Sequence, residues 1–184
     1  MGKPTDKKKA KRTAKLKKRL ANEKKRKDKV GQPRSCNGCT VCCTVLGVEP
    51  LYKGPYQPCE HTCEKGCGIY ETRPPICGQF YCLWQTGMGT MNQRPDKIRI
   101  VFAPTVKKVE ATGEQEIQAY EVDPGALDNP EVMALCRRLA GNGALILGHV
   151  YGRHGNIRVM GNPVKTKKFE AMARSHGAIV NNIS

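Results

Sequence analysis

The stretch Cys36-Asn37-Gly38-Cys39-Thr40-Val41-Cys42-Cys43 places four of the chain's ten cysteines in one short run, CxxCxxCC. Five more cysteines follow before residue 83, at Cys59, Cys63, Cys67, Cys77 and Cys82. A spacing of two residues lets neighbouring thiolates converge on one ion, because a short turn can aim both sulfurs inward. The pattern therefore predicts that this segment binds metal and that the metal holds it together.

The thiolate sulfur is a soft ligand, and it suits zinc, iron–sulfur clusters and copper(I) better than magnesium or calcium. Four thiolates complete either a tetrahedral zinc site or a common iron–sulfur cluster, so the expected cofactor is zinc or iron, with an iron–sulfur cluster as one form. Cys42 and Cys43 are adjacent, and adjacent side chains point apart. Either they serve two different metal sites, or Cys43 packs as a small apolar residue.

The composition limits the cellular compartment in which we expect the chain and the partners that it can contact. No run of the sequence approaches the roughly 20 apolar residues of a membrane span, and the N-terminus has no apolar secretory segment. We therefore expect a cytoplasmic protein that makes no membrane contact. In that reducing compartment a dense set of cysteines is more often bound to metal than joined in disulfides.

Residues 1–34 hold 16 Lys and Arg against 3 Asp and Glu, whereas residues 35–184 hold 16 against 13. The high charge of the chain therefore belongs to a low-complexity tail, for which we predict disorder because it has few apolar groups to bury. Such a tail either neutralises nucleic-acid phosphates without sequence preference or serves as a solvated arm. A protein partner is not predictable.

The predicted fold class is α+β. Residues 35–95 are expected to form a metal-stapled module of short helices and loops, and residues 96–184 a small unit packed on it, with an antiparallel sheet and one or two helices. Alternation of apolar residues predicts strands near 98–102, 117–122, 144–151 and 156–160, with a connection at 111–114. A helix is predicted from Pro130 to Gly141, with Asp128 or Asn129 as its cap and Cys136 on its apolar face, and another over 166–175.

Four features of the sequence belong together: the spacing in 36–43, the pair Cys59-x-His61, the segment 66–77 and Phe80-Tyr81-Cys82-Leu83-Trp84. With them the chain resembles the YkgJ-type CxxCxxCC family over about residues 36–84. Members of that family are described as zinc- or iron-chelating proteins with eight characteristic cysteines. The resemblance implies the ligands Cys36, Cys39, Cys42, Cys43, Cys59, Cys67, Cys77 and Cys82. Cys63 is additional, and Gly78 stands where family members often carry arginine. His61 is either a further ligand or a surface residue.

No phosphate-binding loop, zinc-protease motif or serine-hydrolase motif occurs in the chain. The sequence therefore favours a metal-binding protein without catalysis of its own, and names no catalytic residue. Flagellin lysine methylases are similar in their cysteine motif, which leaves an iron–sulfur enzyme of group-transfer or redox type as an alternative. A nucleic-acid or ribonucleoprotein-associated protein with a structural metal is the other.

Overall fold

The computed structural model describes residues 34–36, 38–105 and 115–183. Within these ranges the chain forms five α-helices and seven β-strands, which confirms the predicted α+β class. The predicted tail, apart from Arg34, and the connection predicted at 111–114 lie outside the described residues. No helix in the described part of the chain is long and apolar enough to cross a bilayer.

The cysteine-rich segment contains two short helices and a two-stranded ribbon: α1 (Cys42–Val45), β1 (Thr62–Cys63), β2 (Gly66–Cys67) and α2 (Pro75–Gln79). Helix α3 (Pro95–Ile98) leads into the second unit. Its strands are β3 (Ile100–Pro104), β4 (Glu116–Glu121), β5 (Leu145–His149), β6 (Asn156–Met160) and β7 (Ile179–Asn182). Helix α4 (Pro130–Gly141) joins β4 to β5, and α5 (Pro163–Ser175) joins β6 to β7.

The five strands form one sheet in the order β3-β4-β5-β6-β7. The prediction of an antiparallel sheet is wrong for two of the four pairings. Strands β4 and β5 run parallel, as do β6 and β7, whereas β3/β4 and β5/β6 are antiparallel. The reason is that a helix connects each parallel pair, and a helical crossover returns the chain to the same end of the sheet.

Helix α4 forms where its sequence signals predict. The side chain of Asn129 accepts a hydrogen bond from Glu131 N at 2.9 Å, which caps the first turn, and Pro130 occupies the first helical position. Cys136 is fully buried on the apolar face of this helix, as expected of a core residue. The last predicted helix is α5, which begins three residues before the predicted 166.

The sheet is covered on both faces, and alternation along each strand decides which residue serves which face. Ile146 packs in the cluster beneath α4, whereas its neighbours Leu145 and Leu147 pack against Phe169 of α5. The α4 cluster also takes Ile100 and Phe102 from β3, and both of these side chains are buried. The sheet is therefore the central layer of the second unit.

The cysteine module packs on the sheet through a third cluster. Val45, Trp84 and Val41 of the module are buried against Val101 and Val122 of the second unit. The backbone of Leu83 also donates to Phe102 O at 2.8 Å, beside the outer edge of β3. The module thus lacks a large core of its own but shares one with the sheet.

Candidate metal centre

The two ends of the cysteine module are brought together by Arg34. Its backbone N donates to Gln85 O at 2.8 Å, and its guanidinium lies 5.0 Å from the centre of the Trp84 ring. The same guanidinium donates to three carbonyls of one loop, those of Gly87 at 3.1 Å, Met88 at 3.2 Å and Gly89 at 3.0 Å. These bonds hold the start of the CxxCxxCC run beside Cys82.

Four of the eight predicted ligands line one small cavity: Cys36, Cys39, Cys42 and Cys82. The cavity measures about 10 Å³, which is close to the smallest volume that a single water molecule needs. Apolar side chains, including Trp84 and Val101, close the rest of the wall. We call these four cysteines the first set. Their surroundings fit a single small ion.

Hydrogen-bond donors face the sulfurs of the first set. Gln85 bridges two of these cysteines, because its Nε2 donates to Cys36 Sγ at 3.0 Å while its Oε1 accepts from Cys82 N at 3.2 Å. Burial raises the pKa of Cys39 and of Cys82, and backbone N–H groups partly offset it, that of Val41 at Cys39 and those of Gln85 and Trp84 at Cys82. Donors of this kind stabilise a thiolate, which is the form that binds metal.

Burial raises the pKa of all four thiols of the first set. It is the largest cause at Cys36, Cys39 and Cys82, whereas at Cys42 a hydrogen bond to Cys43 comes first. Burial raises the pKa of Cys36 to about 11, with the sulfurs of Cys82, Cys39 and Cys43 adding to the effect. The Cys42 thiol donates to Cys43, which raises the pKa of Cys42 and lowers that of Cys43. Crowded thiolates repel one another, so a cation among them would release their protons.

The charges of the remaining four predicted ligands act on one another: Cys43, Cys59, Cys67 and Cys77. Burial raises the pKa of Cys77, and the next causes are the charges of the other three. The β1/β2 ribbon positions two of the four, since Thr62 pairs with Cys67 and donates from its backbone to Cys59 O at 3.1 Å. We call these four cysteines the second set. Cys42 lines the first cavity whereas Cys43 does not, and the thiols of these two residues are hydrogen-bonded to each other.

Lys53 is a functional candidate that the sequence did not reveal. Its side chain is buried, and its ammonium donates to the carbonyls of Thr44 at 3.2 Å, of Gly54 at 3.1 Å, and of Leu46. Its positive charge also lowers the pKa of Cys43. Lys53 ties the end of α1 to the following loop and places a fixed cation beside the thiols. A single lysine in a loop carries no signal that distinguishes this role from an exposed one.

Arg73 supplies a positive charge beside the cysteines. A Cβ added at Gly78 would lie 3.5 Å from Arg73 Nε, so the guanidinium occupies the space beside this glycine. Arg73 stacks on Tyr70 at 3.7 Å, and its charge partly offsets the burial that raises the pKa of both Cys36 and Cys77. A cation therefore lies near members of both cysteine sets.

Two candidate residues, Cys63 and His61, line neither cavity of the described part of the chain. Cys63 is exposed, and it pairs with Gly66 across the ribbon, whereas Cys67 pairs with Thr62. Because successive residues of a strand face opposite sides, Cys63 points away from the side of Cys67. The His61 Nε2 atom lies 3.5 Å from Glu60 Oε1.

All ten cysteines are free thiols. Within the described ranges, no three His, Cys, Asp or Glu side chains are already arranged so that they could hold a metal ion. The fold therefore brings the cysteines of each set into one neighbourhood without converging their sulfurs on one point. Changes in side-chain rotamers would have to complete either site.

Comparison of the chain with protein-family models, curated proteins and solved structures found no match.

Proposed function

We propose that this chain is a metal-binding protein that chelates zinc or iron through its two four-cysteine sets. The first set would hold its ion with Cys36, Cys39, Cys42 and Cys82, and the second with Cys43, Cys59, Cys67 and Cys77. Bound metal supplies the bonds that lock the module's loops onto the sheet. The proposal extends to a cytoplasmic location, where thiols stay reduced.

One observation carries the proposal. Four cysteines from two distant segments line a single cavity, and donors from Gln85 and the backbone are aimed at their sulfurs. A cluster of thiols that serve only as packing would have no use for such donors, because a neutral thiol is a weak acceptor. The donor set suits thiolates, and four thiolates in a partly buried cluster need a cation to balance their charge.

The size of the first cavity favours a single ion over an iron–sulfur cluster. At about 10 Å³ it has space near the size of one water molecule, which is less than a four-iron cluster occupies. Tetrahedral zinc is a single ion held by four thiolates at Zn–S distances of about 2.3 Å. Zinc is therefore the metal that we propose for the first set, and iron or zinc for the second.

The test is metal analysis of protein purified without oxygen. We expect two metal ions per chain in the wild type. Cys39→Ser and Cys77→Ser should each lose one ion, because serine is a poor substitute for a soft thiolate in either set. Cys63→Ser is the matched control, since it removes an exposed cysteine of the same module, and it should keep both ions. Absence of metal from reduced wild-type protein, or equal loss in all three variants, would refute the proposal.

Colour and chelation distinguish the forms of the proposal. A colourless sample with zinc supports two mononuclear sites, and a brown sample with iron and sulfide supports a cluster in the second set. Structural zinc contributes on the order of 10 kcal/mol to the folding of small modules. Chelation should therefore expose residues 35–95 to proteases, and a reduced, metal-free module that resists digestion would contradict a structural role.

A further inference from the structure

A second cavity is lined by residues of β4, β6 and β7 and of the turns beside them, and no cysteine lines it. It measures about 680 Å³, within the range of about 300–1,000 Å³ that is typical of small-molecule sites. Its floor is formed by two pairs of neighbouring residues on β6 and β7, Asn156 beside Ile179 and Arg158 beside Asn181. Paired residues share a face of the sheet, so all four belong to one surface.

The two walls of this cavity are held in place by one buried carboxylate. Glu121, at the end of β4, is only 1% exposed. Its Oε1 accepts from Leu127 N at 2.9 Å, in the turn before α4, and its Oε2 accepts from Tyr151 N at 2.9 Å, in the turn after β5. Both oxygens are therefore used to fix the backbone on either side of the cavity, which makes it a preformed site.

The charged groups of the lining leave one guanidinium without a partner. Arg158 is held by Asp128, whose Oδ1 lies 2.6 Å from Arg158 Nη1. Arg153 is exposed at the tip of the turn between β5 and β6. Within the part of the chain that the structure describes, its side chain forms no ion pair or hydrogen bond. The charges of Glu121, Asp128 and Arg158 are satisfied among the cavity's own residues, and that of Arg153 is not.

The rest of the lining consists of groups that recognise polar molecules. The amides of Asn156, Asn181 and Asn182 each present donors and an acceptor. Tyr151 and Ile179 add apolar surface, and Ile179 is 61% exposed although it is large and hydrophobic.

We propose that this cavity binds a small organic oxyanion, a phosphate or a carboxylate carried on a polar body. The guanidinium of Arg153 takes the oxyanion, because its planar fork matches both groups. The asparagine amides hydrogen-bond the polar body, which rests against Tyr151 and Ile179. The site does not depend on the cysteine sets, so it stands or falls separately from the proposed metal chemistry.

The experiment is calorimetric titration of the full, metal-loaded chain at physiological ionic strength with three probes: adenosine 5′-monophosphate, malate and inorganic phosphate. Arg153→Gln should weaken binding of the preferred organic probe by about tenfold or more, since it removes a charge-assisted bond. Arg137→Gln is the matched control, because Arg137 is exposed on α4 and does not line the cavity. It should bind as the wild type does.

A second variant tests the cavity itself. Asn181→Phe fills the floor with a residue that strands accept well, and it should abolish binding while circular dichroism stays unchanged. Tighter binding of the monophosphate than of malate identifies a phosphate ligand, and the reverse order a carboxylate. The basic N-terminal residues remain in every variant, so equal affinity in wild type and Arg153→Gln would assign the binding to them and overturn the proposal. Absence of binding of all three probes at millimolar concentration would overturn it as well.

Discussion

Replacement of Gln85 by methionine tests whether the first cysteine set binds metal as thiolates. Methionine keeps the length of the side chain but removes two hydrogen bonds, Nε2 to Cys36 Sγ at 3.0 Å and Cys82 N to Oε1 at 3.2 Å. The first bond is stronger to a thiolate than to a thiol, so its loss weakens metal binding. The second is present with or without metal, so its loss lowers the stability of both forms.

The expected magnitude follows from the first bond alone. A hydrogen bond to a charged group contributes about 1.5–3 kcal/mol. A loss of about 2 kcal/mol corresponds to a roughly 30-fold increase in the Kd for zinc, within the range of about 10–100-fold that is typical of groups behind the ligands. Gln85→Glu should weaken binding at least as much, because it keeps the acceptor for Cys82 N and places a negative charge beside Cys36.

The assay is competition with a chromophoric chelator under reducing, oxygen-free conditions at neutral pH. Gln79→Met is the matched control, because Gln79 is an exposed glutamine in α2, and its Kd should equal that of the wild type. If Gln85→Met bound zinc within about twofold of the wild type, the bond to Cys36 would have no part in metal binding. The assignment of the first set would then be wrong.

Three further predictions concern the rest of the chain. Lys53→Met should lower the free energy of unfolding by about 3 kcal/mol, because three carbonyls each lose a hydrogen-bond donor worth on the order of 1 kcal/mol. Denaturant titration measures this change, and Lys97→Met, at an exposed position, should change the free energy of unfolding little. Burial lowers the pKa of His149 in the folded protein, so the unfolded chain binds the proton more readily than the folded chain does. The free energy of unfolding should therefore fall as the pH drops below the ordinary histidine value of about 6.5. His149→Gln should lose less stability than the wild type between pH 8 and 5.5. Deletion of residues 1–30 removes 15 Lys and Arg and should leave metal content unchanged while it abolishes salt-sensitive binding to nucleic acid in a filter-binding assay; undiminished binding would move the nucleic-acid surface to the remaining chain.

Local signals in the sequence were enough to predict most of the second unit. Asn129 and Pro130 mark the start of α4 because capping depends only on neighbouring residues, and the helix ends at Gly141, as predicted, although the glycine in the left-handed conformation is Gly143. Strand β6 agrees with the prediction at both ends. The identity of the cysteines as candidate ligands was equally local, because it rests on their spacing.

The pairing of strands could not be predicted in the same way. Strand β7 has a single buried residue, Val180, among four, so its own sequence carries almost no pattern. It forms because β6 offers it an edge and α5 returns the chain parallel to β6. The parallel pairings and the cavity beside β7 are consequences of that crossover.

The spacing of the cysteines in the sequence also could not predict how they divide into two sets. CxxCxxCC alone suggests that its cysteines act together, yet Cys42 lines the cavity with Cys36 and Cys39, whereas the charge of Cys43 acts on Cys77. Gln85 contacts Cys36 across 49 residues, and Arg34 holds this contact in place. The sequence by itself determined which residues have the chemistry of ligands. Only the tertiary structure decided which of them share a neighbourhood, because that depends on contacts between distant segments, which no local pattern records.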